Sequence, residues 1–273
     1  MPIIARLAAL YESRGIRIAA GLNPCHFGGF PHAPFTWFVK DGESLTNGLG
    51  IALQEIYFLE CLFARFHPKS IFAIGNSLGW STLALALANP TARVLAIDAG
   101  LDRLAREGIR FTNAVAADED LPATVVAGKS PGDVARVLRE QAMPPIDFAF
   151  IDGYHAVAQV VLDFRAVHEA AAPGCVYLFH DVATFGLAPG IEQIVAETGL
   201  SWLALPGTTS GMAIVYDPKS PPPLDDIAPF IGSAEAMAVI RDAAWSHRHR
   251  HLARWRRSVN KRLGRARKAE PSL

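Results

Sequence analysis

Two short segments hold most of the reactive side chains. "FAFIDGYHAV" carries Asp152, Tyr154 and His155, and "YLFHDV" carries His180 and Asp181. Two acids and two imidazoles support two kinds of chemistry. In the first, Asp152, His180 and Asp181 offer oxygen and nitrogen donors to a hard divalent ion: Mg²⁺, or Mn²⁺ or Fe²⁺ given the imidazole. Such an ion would acidify a bound hydroxyl and orient it. In the second, no metal is needed. His155 takes a proton directly from an O–H or N–H, with Asp152 or Asp181 orienting the ring. A plainer reading competes for part of this set. Asp152-Gly153 is also a turn signature, and a histidine after a turn can cap a helix or fill a core. His180 beside Asp181 is harder to assign to structure alone.

Both segments follow apolar runs. Five runs, Ile71–Ile74, Arg93–Ile97, Thr124–Ala127, Asp147–Ile151 and Val176–Phe179, are short and largely unalternated, as in strands buried on both faces. Helical patterns separate them over Ser81–Ala88, Pro131–Gln141 and Ala156–Ala171, with a broken one over Leu101–Ala117. Another precedes them in "SLTNGLGIALQEIYFLECLFARF". A further helix from Pro189 to Thr198 leads into "SWLALP" and "GMAIVYD", an expected antiparallel edge hairpin. The expected fold is therefore α/β: a doubly wound, mostly parallel, Rossmann-like sheet. Ligands of such sheets sit outside the carboxyl ends of the strands. Both reactive segments fall there, and Trp37, Trp80 and Phe185 are candidates to line a pocket, although aromatic residues are more often simply buried.

"SIFAIGNSLGWSTLALAL" joins a strand to a helix through Gly75, Asn76, Ser77, Leu78 and Gly79. A P-loop requires Lys after its last glycine, and none is present. A dinucleotide fingerprint requires GxGxxG, and the spacing here is GxxxG. Asp98 ends the second strand some 20 residues on, where a carboxylate can accept hydrogen bonds from both hydroxyls of a ribose. Gly128, Lys129 and Ser130 follow the third strand. Ser130 and Pro131 also suit the cap and first turn of a helix.

From about Ser70 to Asp181 these motifs resemble class I S-adenosylmethionine-dependent methyltransferases. "IDGYH" and "HDV" are similar to a branch that includes small-molecule O-methyltransferases and cephalosporin hydroxylase-like proteins. The resemblance implies a seven-stranded sheet, S-adenosylmethionine held by Gly75, Asn76, Ser77, Gly79, Asp98, Lys129, Ser130 and Asp152, and catalysis by His155, Asp152 and His180. Metal ligation would fall to Asp152, His180 and Asp181. The implied reaction is methyl transfer to a hydroxyl or amine of a small molecule, a sugar or glycolipid precursor being one candidate. A non-methylating, hydroxylase-like relative and a non-catalytic binding protein are the alternatives. Ala73 departs from the family, which mostly has Glu or Asp there to hold the ligand's ammonium group.

The charge is uneven. Residues 1–240 hold 15 Lys and Arg against 24 Asp and Glu, whereas residues 241–268 hold 11 against one. The chain divides into a loop-rich N-terminal extension (1–43), the methyltransferase-like domain (44–218), a Pro-rich linker and helix (219–240) and a basic amphipathic tail (241–273). In the tail Leu252, Trp255, Val259 and Leu263 would share one helical face. Such a helix suits an anionic membrane surface or a partner subunit better than nucleic acid, and a homo-oligomer is compatible with it. Three widely spaced cysteines, no apolar span and no signal peptide lead us to expect a cytoplasmic protein, membrane-peripheral at most.

Overall fold

Successive residues of the central strands enter opposite cores. In the computed structural model, which describes residues 2–46, 48 and 50–249, strand β4 (Ser70–Ile74) sends Ile71 and Ala73 to one side and Phe72 and Ile74 to the other. β5 (Arg93–Asp98), β7 (Ile146–Ile151), β8 (Ala171–Phe179) and β10 (Met212–Tyr216) divide in the same way. This is the period-2 geometry of strands buried on both faces. With β6 (Ala123–Ala127) and β9 (Ser201–Leu205) they form seven strands in the order β6-β5-β4-β7-β8-β10-β9. The first five are parallel, and β10 runs antiparallel between β8 and β9. Strand order reverses between β4 and β7, the switch point at which such sheets bind ligands.

Helices α1 (Ile3–Glu12), α2 (Leu53–Phe63), α3 (Trp80–Ala88) and α4 (Arg103–Asp118) supply apolar residues to one core, and α5 (Val134–Glu140), α6 (Val157–His168) and α7 (Ala188–Thr198) to the other. α4 is continuous where a break was expected. Gly108 in its middle is demanded by packing, since a Cβ there would lie 1.9 Å from the Ser77 carbonyl oxygen. α5 begins at Val134, not Pro131. Lys129 N–H bonds the Asp133 carboxylate (2.8 Å), so residues 129–133 close a turn first.

The first 43 residues are less loop-rich than expected. α1 buries Leu7, Leu10 and Tyr11, and β1 (Arg17–Ala19), β2 (Trp37–Lys40) and β3 (Glu43–Ser44) form a small antiparallel sheet. The Tyr11 ring meets Phe38, Trp80 and Phe111, and its hydroxyl donates to the Leu78 carbonyl at 2.7 Å. The Pro-rich stretch differs too. Leu224–Phe230 is a 3₁₀ turn whose Ile227 and Phe230 are buried, Phe230 standing edge-on to Phe58. Residues Met1–Ile231 therefore form one unit, and a second begins at Gly232. Its described part is α8 (Ala234–Arg248), capped by Ser233 Oγ on Ala236 N–H (3.1 Å), with Val239, Ile240 and Trp245 exposed. The expected stripe of Leu252, Trp255, Val259 and Leu263 lies outside the described residues. Among the described residues no helix is long and apolar enough to cross a membrane.

Candidate active site

The turn after β4 is shaped first by the protein itself. Gly75 and Gly79 have φ of +93° and +87°, a region open mainly to glycine. A Cβ on Gly75 would lie 2.0 Å from the Asp152 carbonyl oxygen, and one on Gly79 2.1 Å from the Thr112 hydroxyl. Between them the buried Asn76 spends its side chain inward, donating to Ser77 O and Thr112 Oγ1 and accepting from Thr82 Oγ1. Its backbone N–H (3.0 Å) and that of Ser77 (3.1 Å) converge on Asp98 Oδ2, and Gly100 N–H (2.9 Å) meets Oδ1. Asp98 thus clamps the turn, and a carboxylate still has acceptor sites for a ligand's hydroxyls.

A cavity of about 370 Å³ opens over this turn at the carboxyl ends of β4, β5, β7 and β8. Gly75, Asn76, Ser77, Asp98, Asp152, His155, His180 and Asp181 all line it, as do Trp80 and Phe185. Gly79, Lys129, Ser130 and Trp37 do not. Ser130 neither caps a helix nor reaches the cavity: its hydroxyl donates to Asp163, and Gln159 donates to its carbonyl. Ala73 is buried in the sheet, so an ammonium group would need another partner; Ser77, Ser81 and Asp152 are polar residues of the same cavity.

The two reactive segments meet. His155 Nε2 lies 3.2 Å from Asp152 Oδ1 and 3.3 Å from Asp181 Oδ2. His180 Nδ1 lies 3.3 Å and 3.4 Å from the same two oxygens. Donor atoms of Asp152, His155 and Asp181 lie within 4.8 Å of one another, a spacing that could hold a metal ion. Asp181 takes φ +58°, a strained position for a non-glycine residue and the kind found at functional sites. Burial pulls the pKa of His180 down, but the charges of Asp152 and Glu55 outweigh it and raise the value well above the usual imidazole range. His155 follows the same pattern: burial lowers it, and the hydrogen bond and charge of Asp152, with Asp181 behind, leave it raised. Burial pushes Asp152 up, yet the two imidazoles hold it well below the ordinary carboxylate range.

Glu55 was not expected here. It sits at the third position of α2, wholly buried, and reaches back to Ala52 N–H as in a capping box. It also meets His180 Nε2 at 3.0 Å. An acid among Ile56, Leu59, Leu62 and Phe63 was the available signal. His32 and Phe35 add a wall from the N-terminal segment, and Phe185 covers His155.

The model of a methyltransferase domain matches residues 72–182. No protein of curated function matches in sequence. Among solved structures, an O-methyltransferase from Bacillus cereus in complex with SAH aligns with a TM-score of 0.51 at 20% identity, over 61% of this chain and 82% of that one. Cofactor-bound Rv0187 from MTB aligns at 0.53 and 17% identity, over 79% and 89%. At these identities the structures speak for the fold, and the family match speaks for its type. Residues 72–182 thus match the model of a methyltransferase domain, and the seven-stranded sheet that they anchor has the fold of the O-methyltransferase structures with which it aligns.

Proposed function

We propose that the protein transfers the methyl group of S-adenosylmethionine to a hydroxyl of a small acceptor. The observation that carries this reading is one cavity with two ends: the Asp98-clamped glycine turn, and the cluster of Asp152, His155, His180 and Asp181. The turn and Asp98 hold the nucleoside and its ribose, and the cluster receives the acceptor. His155, its basicity raised by Asp152, takes the hydroxyl proton as the oxygen attacks the methyl carbon. Holding the two reactants in line supplies up to ~7–11 kcal/mol of the barrier reduction.

A divalent ion, Mg²⁺ or Mn²⁺, fits the same cluster. His180 Nδ1 is buried and makes no hydrogen bond, although two carboxylate oxygens stand beside it. Asp152 and Asp181, with His155 or His180, would hold the ion, which would acidify the acceptor hydroxyl. The flat face of Phe185 beside these carboxylates suits a sugar ring, in keeping with a sugar or glycolipid precursor as acceptor. The basic segment beyond residue 240 serves in this reading as a contact for an anionic membrane surface.

Calorimetry with S-adenosylhomocysteine, followed by methyl transfer to a panel of hydroxylated acceptors, tests the proposal. Wild-type protein should bind the nucleoside, and Asp98→Asn should bind it roughly 10–100-fold more weakly, as hydrogen bonds to a charged group are worth about 1.5–3 kcal/mol. No uptake by the wild type, or no effect of Asp98→Asn, would refute it.

A further inference from the structure

Glu55 stands on α2, outside the two loops that carry the reactive cluster, and no solvent reaches it. A buried carboxylate is costly unless donors surround it. Three do, and an imidazole nitrogen stands beside them. Ala52 N–H donates to Oε2 (2.8 Å), the Ser210 N–H (2.8 Å) and hydroxyl donate to Oε1, and His180 Nε2 lies 3.0 Å from Oε2. With Oε1 taking both Ser210 donors and Oε2 the Ala52 N–H, both carboxylate oxygens already act as acceptors, and the geometry is completed when Nε2 of His180 carries hydrogen.

That fixes the role of the other ring nitrogen. Nδ1 is buried, has no hydrogen bond, and lies beside Asp152 Oδ1 and Asp181 Oδ2. A divalent cation among those oxygens would take the place of the Nδ1 proton, and the neutral ring would then offer Nδ1 as a ligand. Histidines that ligate metals usually donate their second ring N–H to a carboxylate or carbonyl, and that partner sets tautomer and orientation. Ser210, from the loop before β10, holds the other oxygen of Glu55, so the carboxylate that meets the imidazole is itself fixed from a distant segment.

We propose that Glu55 is a positioning residue: through Nε2–H it locks His180 in one tautomer and one ring orientation, so that Nδ1 serves as a ligand, with Asp152 and Asp181, to a divalent cation. The cation half rests on the metal reading of the site; the tautomer half does not.

Two-bond ¹H–¹⁵N spectra of the full chain labelled with ¹⁵N-histidine, recorded with and without Mg²⁺, provide the test, and His180→Asn assigns the signal. In the Mg²⁺-loaded wild type His180 should show the Nε2–H tautomer. A dominant Nδ1–H form overturns the proposal. Glu55→Gln should mix the tautomers and weaken Mn²⁺ binding, followed by electron paramagnetic resonance, by ~10–100-fold, with Glu55→Asp in between. S-adenosylhomocysteine affinity should stay within twofold, which separates this idea from cofactor binding as such. An unchanged ¹⁵N pattern in a folded Glu55→Gln also overturns it, whereas a wild type that takes up no Mn²⁺ overturns the cation half together with the metal reading of the site.

Discussion

His155 lies flat against Phe185: their ring centroids are 4.4 Å apart and their planes 6° from parallel. Phe185 is itself half-exposed at the cavity rim. It therefore does two things at once, fixing the plane of the imidazole and offering its outer surface to whatever enters. Removing the ring frees His155 to rotate away from the line set by Asp152 and Asp181. Phe185→Ala should lower kcat/KM for the acceptor by roughly 10–100-fold, since small misplacements of a reacting group are that costly. S-adenosylhomocysteine affinity by calorimetry should change less than twofold. Unchanged steady-state constants would dismiss this role for the stack.

Two glycines with similar backbone angles should respond very differently to alanine. Gly199, after α7, has φ +72° and open space where a Cβ would go. Gly199→Ala should cost about 1–2 kcal/mol of left-handed strain. Gly75→Ala adds a collision with the Asp152 carbonyl, and overpacking of this kind costs a further ~1–3 kcal/mol. Urea denaturation of both variants checks the difference. Equal losses would mean that the contact between the β4 turn and Asp152 is looser than described.

Asp163 on α6 gives a pH signature away from the reactive cluster. Burial raises its pKa, and the hydrogen bonds from Ser130 and Gln159 pull back only in part. A raised folded value means that the folded protein holds the proton more tightly than the unfolded chain, whose Asp titrates at about 3.9. The stabilising contribution is then complete below that unfolded value and is lost as pH rises through the folded one. At pH 7 ionised Asp163 is a net cost. Asp163→Asn, which keeps an acceptor oxygen for both donors, should raise Tm at pH 7, and the gain should vanish by about pH 4. A variant less stable than wild type at pH 7 would contradict this.

The charge asymmetry leads to a binding prediction. The full chain should sediment with phosphatidylglycerol-containing vesicles and not with pure phosphatidylcholine, and added salt should release it. Each basic residue at such a surface is worth about 1 kcal/mol. Reversing Arg256 and Arg257 to Glu should thus reduce partitioning at least about tenfold. Equal binding to neutral vesicles would rule out an electrostatic contact.

The sheet was legible because its strands are buried on both faces, so apolar runs such as "SIFAI" and "FAFI" mark them without ambiguity. The place of His155 and His180 in the cavity wall was legible because polar groups at the carboxyl ends of such strands have few other reasons to be there. Lys129 and Ser130 show where this logic stops. They too follow a strand, but neither lines the cavity: Asp133 accepts from the Lys129 backbone N–H, and Asp163 from the Ser130 hydroxyl. Glu55 stayed hidden for the opposite reason. It reaches His180 across 125 residues of chain, and no local pattern records such a pairing. The helical start of the chain was obscured by the glycines and prolines that follow it, and its burial depends on aromatic partners far along the sequence.

The bond from Tyr11 to the Leu78 carbonyl spans 67 residues. Leu78 belongs to the turn that lines the cavity, so losing the Tyr11 hydroxyl would leave that carbonyl without its donor. One bond thus couples the first helix to the floor of the cleft, and a change at residue 11 would be felt where the nucleoside is expected to lie.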